Sequence, residues 1–210
     1  MPELSADSSN IRSQVASKML EKARQAKPSD AVDLLKTEHD EAEDLYDKFF
    51  DAESSTEKQM LVAELCLALS VHMRIEEDIF YPAVNAALTG QEDEDDRKED
   101  SLVIPEARVE HASLKRLITE VEAAPDDVEC EARVQVMCEY TKHHIKEEEH
   151  KMFSKAKKCD VDVEALGQQL SRRKLELLEE MAHGAGQEQA AMPSSLFRDQ
   201  SIRPDSGARL

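Results

Sequence analysis

Two sets of side chains with metal-binding chemistry recur along this chain at a constant offset. The second set follows the first by 72 positions: His39, His72 and Glu76, then His111, His144 and Glu148. In each set the second histidine precedes the glutamate by four residues. Histidine is only 7 of the 210 residues, so this matched placement indicates an internal repeat rather than chance. The repeat predicts a site for two metal ions.

The four-residue spacing matters because a helix advances about 100° per residue, so residues four apart project from one face. An imidazole and a carboxylate can then reach the same point from each of two helices, and one further histidine comes from each of two others. We expect His39 and His72 to bind one metal and His111 and His144 the other. Glu76 and Glu148 would bridge the two. Burying six such polar groups together is costly without a metal.

Mixed imidazole and carboxylate ligands suit first-row metals such as iron, manganese and zinc. Four protein ligands per metal would leave an iron ion room for a bridging oxo or hydroxo group and for an exogenous molecule. Open coordination of this kind is needed for small-molecule binding or redox chemistry.

Other histidines compete for these roles. His143 and Glu147 also lie four apart, but the 72-residue offset favours His144 over His143. We expect His143 to point outward, and His150 and His183 to be solvated.

Three further side chains have two interpretations each. Glu77 and Glu149 follow the bridging glutamates, and they either accept hydrogen bonds from the metal-binding histidines or lie on a solvated face. Tyr46 could approach the site, although an aromatic role in the core is favoured.

The elements that would position these residues are helices. Apolar residues recur every three to four positions over about 11–26, 30–52, 57–87, 104–123, 128–157 and 163–182. The middle four predict an all-α fold, an up-down-up-down four-helix bundle. We expect an N-terminal amphipathic helical extension over 1–28, the di-metal domain over 29–158, an accessory C-terminal helix over 159–183 and a disordered tail over 184–210. The acidic run over 91–101 is expected to be a solvated loop.

Composition narrows the range of partners. The formal net charge of −19 repels phosphate backbones and anionic membrane surfaces, so neither nucleic acid nor membrane is an expected partner. The four cysteines form no C-x-x-C pair, which favours reduced thiols. No secretory signal or membrane-spanning stretch is visible. We therefore expect a cytoplasmic protein, with a protein partner or a homodimer left open.

The repeated ligands resemble those of the hemerythrin-like, HHE cation-binding family. Its pattern is a histidine on the first helix, H-x-x-x-E on the second, a histidine on the third and H-x-x-x-E on the fourth. Here the two longer motifs read HMRIE from His72 to Glu76 and HIKEE from His144 to Glu148, and each single histidine follows a glutamate. The similarity extends over about residues 30–157. It implies a hemerythrin-like bundle with a non-haem di-iron site, iron being favoured over manganese or zinc.

One difference from the family's oxygen carriers bears on function. Those proteins have a second histidine on the third helix where this chain has Lys115, and they carry an aspartate on the fourth helix. The difference argues against a simple reversible oxygen carrier and leaves room for oxidative or nitric-oxide chemistry. We expect binding or sensing of a small diatomic ligand, oxygen or nitric oxide. Enzymatic decomposition of peroxide or reduction of nitric oxide is the alternative, and iron storage or iron sensing is a third.

Overall fold

The computed structural model describes residues 4–27, 29–90, 101–123, 128–159 and 161–183, which form six helices and contain no strand. We number them in chain order: α1 (Leu4–Gln25), α2 (Ala31–Asp51), α3 (Ser55–Ile75, Glu76–Phe80 and Tyr81–Thr89), α4 (Val103–Ala123), α5 (Val128–Glu147, Glu148–Met152 and Phe153–Lys158) and α6 (Val163–His183). The all-α prediction is confirmed. The predicted tail over 184–210 and most of the acidic run lie outside the described residues.

Polar side chains begin two of the bundle helices where the sequence indicates breaks. The Asp30 carboxylate accepts a hydrogen bond from the backbone N–H of Asp33, and the Ser54 hydroxyl accepts one from Glu57. Each satisfies one backbone donor that the first helical turn leaves without a partner. These caps fix the starts of α2 and α3, and therefore the faces that the two helices turn inward.

Helices α2 to α5 form the four-helix bundle. α2 packs on α3 and α4 packs on α5, so each half of the repeat is one helical hairpin. The two hairpins meet through contacts of α3 with α4 and of α2 with α5. Within the described residues no helix is long and apolar enough to cross a membrane.

The middle segments of α3 and α5 are π-helical turns, and each begins at one of the repeated glutamates. The backbone N–H of Tyr81 bonds to the carbonyl of Glu76, and that of Phe153 bonds to the carbonyl of Glu148. A π turn holds one residue more than an α turn and occurs frequently at functional sites. Pro82, at which the sequence predicts either a kink or the boundary of the last helical turns, lies just after the first π turn, and the helix continues to Thr89.

The interior of the bundle contains two apolar clusters and a buried polar layer, and α3 contributes to all three. Along α3, Leu69 belongs to one cluster, His72 and Glu76 follow, and Phe80 belongs to the other. We call the cluster containing Leu69 the lower cluster and the one containing Phe80 the upper cluster. The buried residues of α1 and α6 join the upper cluster only, and these two helices pack against α2 and α3.

Helix α6 packs chiefly against α1 and also contacts α2 and α3. Gly167 is the closest point of this packing, because a Cβ atom there would lie 2.1 Å from the backbone oxygen of Ser29. The contact requires glycine for space. Any side chain at this position would push α6 away from the start of α2.

We therefore expect Gly167→Ala to destabilise the protein. Forcing an extra methyl group into packed backbone costs roughly 1–3 kcal/mol, which lowers Tm by about 3–10 °C in a chain of this size. Thermal unfolding followed by circular dichroism measures the change. Gly90→Ala is the matched control, since a Cβ there has its nearest contact at 3.4 Å. Equal Tm values for the two variants would contradict the close packing of α6.

Candidate metal centre

The structure brings all six predicted site residues into the buried polar layer. Each is at most 7% exposed: His39, His72, Glu76, His111, His144 and Glu148. Their ligand atoms form two groups with Glu76 in common, each compact enough to surround an ion. The first group is His39, His72, Glu76 and Glu148, and the second is Glu76, His111 and His144.

The first group is arranged around the imidazoles of α2 and α3. The Nε2 atoms of His39 and His72 are 3.2 Å apart. Glu76 Oε1 lies 3.2 Å from His72 Nε2, and Glu148 Oε2 lies 3.3 Å from His39 Nε2. Four donor atoms of the kind that first-row metals prefer thus face one another.

The second group repeats this arrangement on α4 and α5. The Nε2 atoms of His111 and His144 are 3.1 Å apart. Glu76 Oε2 lies 3.4 Å from His111 Nε2, and Glu148 Oε2 lies 3.8 Å from His144 Nε2. Glu76 therefore directs one oxygen to each group, which is the geometry that a carboxylate bridging two ions requires.

The second nitrogen of each of the four histidines contacts an outer carboxylate. The pairs and their distances are His39 Nδ1 with Glu149 (2.9 Å), His72 with Glu38 (2.8 Å), His111 with Glu77 (3.0 Å) and His144 with Glu110 (2.8 Å). Each Nδ1–H donates to its carboxylate, so each Nε2 turns its lone pair toward the centre. Glu77 and Glu149 are therefore hydrogen-bond acceptors rather than solvated residues.

A basic side chain lies beyond each outer carboxylate, a lysine in three cases and a histidine in the fourth. Lys174 donates to Glu38 at 2.7 Å and Lys115 to Glu77 at 2.6 Å, while Lys36 is 3.6 Å from Glu149 and His143 is 3.5 Å from Glu110. Burial disfavours the charged form of Glu38, but Lys174 and His72 outweigh it and lower the pKa of Glu38 to about 2. The pKa of Glu77 is likewise about 2, because His111 and Lys115 outweigh its partial burial.

Lys115 occupies the position where oxygen carriers of the resembling family have a metal-binding histidine. Its ammonium group binds both oxygens of Glu77 instead. Lys115 thus holds the Glu77 carboxylate that accepts the hydrogen bond from His111.

The bridging carboxylates lack hydrogen-bond partners of their own. All four oxygens of Glu76 and Glu148 are buried, and none is hydrogen-bonded within the described part of the chain. Burial, together with the negative charge of Glu148, raises the pKa of Glu76 well above its usual value. Unsatisfied buried carboxylates are costly unless a cation binds them. The donor set therefore fits a pair of metal ions.

Burial also keeps one of the imidazoles in the metal-binding form. It lowers the pKa of His111 to about 4, so the ring is neutral at pH 7. When a neutral ring donates its Nδ1–H to Glu77, its Nε2 carries no proton and can bind a metal through its lone pair.

The centre departs from twofold symmetry at Tyr81, a residue that sequence reasoning did not single out. Its hydroxyl lies 3.0 Å from His111 Nε2, in the second group. The residue 72 positions later is Phe153, whose ring stacks 5.7 Å from that of His39 in the first group. One group therefore faces a hydroxyl and the other an apolar ring. The sequence does indicate this difference, because Tyr81 and Phe153 are related by the same 72-residue offset as the ligands but differ in residue type.

The remaining candidates lie away from the centre. The Tyr46 hydroxyl bonds to Thr141 at 2.9 Å inside the lower cluster, so Tyr46 has a core role. His143 is exposed, and His150 and His183 are exposed and bond to backbone carbonyls of their own helices.

Known proteins resemble this chain in sequence and in fold. The sequence profile of the Hemerythrin HHE cation binding domain matches residues 30–156. No curated protein sequence matches the chain at a significant level. A crystal structure of a Hemerythrin HHE cation binding domain-containing protein from Mycobacterium kansasii matches with a TM-score of 0.60 and 24% identity, over 75% of this chain and 96% of that one. This likeness bears on the fold. The profile covers more than half of the sequence, and the chain therefore belongs to the hemerythrin HHE cation-binding domain family.

Proposed function

We propose that this protein is a non-haem di-iron protein that binds or senses a small diatomic ligand, oxygen or nitric oxide, between α2, α3, α4 and α5. The observation that carries the proposal is the pair of adjacent ligand groups sharing Glu76. Two histidines for each ion, with Glu76 and Glu148 shared between them, would leave a five- or six-coordinate iron with open positions. Iron is favoured over manganese and zinc by the family to which the chain belongs.

The chain's own residues would control what happens at the open positions. The two apolar clusters flank the centre. Burial raises the pKa of Tyr81 well above its usual value, so its hydroxyl stays protonated at pH 7. A protonated phenol can donate a hydrogen bond to a ligand on the side of His111.

The same hydroxyl supports a second candidate function, turnover of peroxide or nitric oxide. Such reactions include proton transfers to the reacting oxygen atoms, and a hydroxyl 3.0 Å from His111 Nε2 is well placed to take part in one. Catalysis at this centre would then lose a proton-transfer group without Tyr81, whereas ligand binding would lose a single hydrogen bond.

The deciding experiment is metal analysis of protein purified without oxygen, followed by visible absorption after adding air, nitric oxide or peroxide to separate samples. About two irons per chain and a reversible absorption band with air or nitric oxide are expected. Continuous consumption of peroxide or nitric oxide would favour the enzyme. Zinc in the centre, or no metal, would remove the di-iron proposal.

Exchanging the residues that break the symmetry tests which group reacts. We expect Tyr81→Phe to keep both metals, since four protein ligands per ion remain, and to slow any proton-dependent turnover by about 10²-fold or more. Phe153→Tyr is the symmetry-matched variant, and it would place a hydroxyl beside His39. Metal content, the absorption band and initial rates are the measurements. A Tyr81→Phe protein that lost a metal would instead show that the phenol is itself a ligand.

A further inference from the structure

A cavity of about 370 Å³ reaches the metal centre from the side of the lower cluster. His39, His72 and His144 line its inner end, and His111 is not among its lining residues. The cavity therefore opens onto the ligand groups on the side away from Tyr81.

Between the centre and the surface, the walls of the cavity are apolar. Leu45 of α2, Leu69 and Met73 of α3, and Leu114 of α4 line it. Each is at most 9% exposed, so this part of the cavity lies inside the bundle. The nearby Thr141 hydroxyl is already bonded to Tyr46 and adds no free polar group.

The outer end of the cavity is shaped by helices that the family profile does not cover. Met19 and Ala23 of α1 and Ser171 of α6 line it, together with the exposed Lys22 and Lys48. The profile matches residues 30–156, so α1 and α6 lie outside it. The outer end of the cavity is therefore formed in part by helices outside the matched profile.

The volume exceeds what a diatomic ligand occupies. A water molecule takes about 30 Å³ of liquid, so the cavity has room for roughly a dozen such volumes. Cavities of about 300–1,000 Å³ with apolar walls and a few polar groups are typical of sites for small organic molecules. At the inner end the polar groups are the candidate metal-binding histidines, and charged side chains of both signs line the rest of the cavity, among them Glu41, Asp44, Lys22 and Lys48.

Charge at the inner end favours an anionic head group. Three of the four outer carboxylates are paired with lysine, which leaves Glu110, Glu76 and Glu148 to offset the ions. Two divalent cations with three carboxylates would carry a net positive charge of about one. A carboxylate is attracted to such a centre and supplies the oxygen ligands that iron accepts.

We propose that this cavity binds a medium-chain aliphatic monocarboxylate, with its head group at the metal centre and its chain between Leu45, Leu69 and Leu114. The inference rests on the proposed di-iron function. It extends that function from a diatomic ligand to an organic acid that occupies or competes for the same open positions.

The test is a titration of the metal-loaded full chain with acetate, butanoate, hexanoate and octanoate, followed by calorimetry and visible absorption. Kd is expected to fall about fourfold for each CH₂ group that enters the cavity. Equal Kd values for acetate and octanoate on a protein that holds both metals would overturn the inference and leave the proposed function standing. A chain that takes up no metal would overturn the proposed function, and the inference with it.

Two variants test which part of the cavity binds the aliphatic chain of the ligand. Ala42 lines the cavity and is 4% exposed. Ala42→Phe is expected to abolish the dependence on chain length while acetate still binds. Ala86→Phe, at an exposed position on α3, is the matched control and should behave like the unmodified chain. Leu114→Ala enlarges the cavity, so it should move the best ligand to a longer chain even if Ala42→Phe does not fold. An unchanged optimum in a folded Leu114→Ala protein would contradict the placement.

Discussion

Glu76→Ala is expected to reduce the metal content from about two ions per chain to almost none, because Glu76 is shared by both ligand groups. Its two oxygens face His72 and His111, at 3.2 and 3.4 Å from their Nε2 atoms. Glu148→Ala should have the same effect. His39→Ala removes a ligand from one group alone and should weaken mainly one ion. Elemental analysis after gel filtration gives the metal content of each variant.

Among the metal-free proteins, we expect the Glu76→Ala variant to be more stable than the unmodified chain. Without a cation, the Glu76 and Glu148 carboxylates are buried with no hydrogen-bond partner, and removing one of them relieves that cost. We therefore expect metal-free Glu76→Ala to unfold at a higher temperature than the metal-free unmodified chain, and to gain little when metal is added. Glu147→Ala, beside Glu148 but partly exposed, is the control that should keep both ions. Two ions retained in Glu76→Ala would exclude a bridging role.

Glu38→Ala is expected to weaken metal binding about 10–100-fold, although Glu38 is not one of the six predicted ligands. Its carboxylate accepts from His72 Nδ1 at 2.8 Å and so keeps the lone pair of Nε2 turned to the centre. Without it, the buried imidazole loses both its orientation and its negative partner. Competition with a chelator of known affinity, followed at equilibrium, measures the loss.

A related prediction concerns Lys174 of α6, whose ammonium group donates a hydrogen bond to Glu38. Lys174→Met should also lower metal affinity, because it leaves a buried carboxylate without its cation. In a Glu38→Ala background, Lys174→Met should have little further effect if the lysine acts through Glu38 alone. Additive losses in the double variant would show that Lys174 acts by another route. Glu110→Ala is the symmetry-related variant, since Glu110 has the exposed His143 beside it where Glu38 has a lysine.

The ligand positions were predictable from sequence because two independent periodicities coincide in them. The offset of 72 pairs His39 with His111, and the helical turn pairs His72 with Glu76. The helix starts at Asp30 and Ser54 were also predictable, since capping depends on a few neighbouring residues. Both signals are local or repetitive, and both are visible in one sequence.

The rest of the centre depends on contacts that a single sequence does not reveal. No residue type marks a π turn, so the turn after Glu76 was not predicted. Tyr81 reaches His111 only because of that turn. Lys174 lies on a helix outside the repeat and meets Glu38 through tertiary packing alone, 136 residues away in sequence. Lysine on a helix surface ordinarily indicates solvation.

The two π turns determine how the residues that follow them are rotated about the helix axis. A residue gained or lost between Glu76 and Tyr81 would rotate the segment Tyr81–Thr89 by about 100° and shift it by about 1.5 Å along the axis. Tyr81 would then leave His111, and Phe80 would leave the upper cluster. The same arithmetic holds between Glu148 and Phe153. The number of residues in these two short stretches is therefore as strict a requirement as the identity of the ligands. A protein of this kind can exchange the exposed side chains there more freely than it can gain or lose a residue.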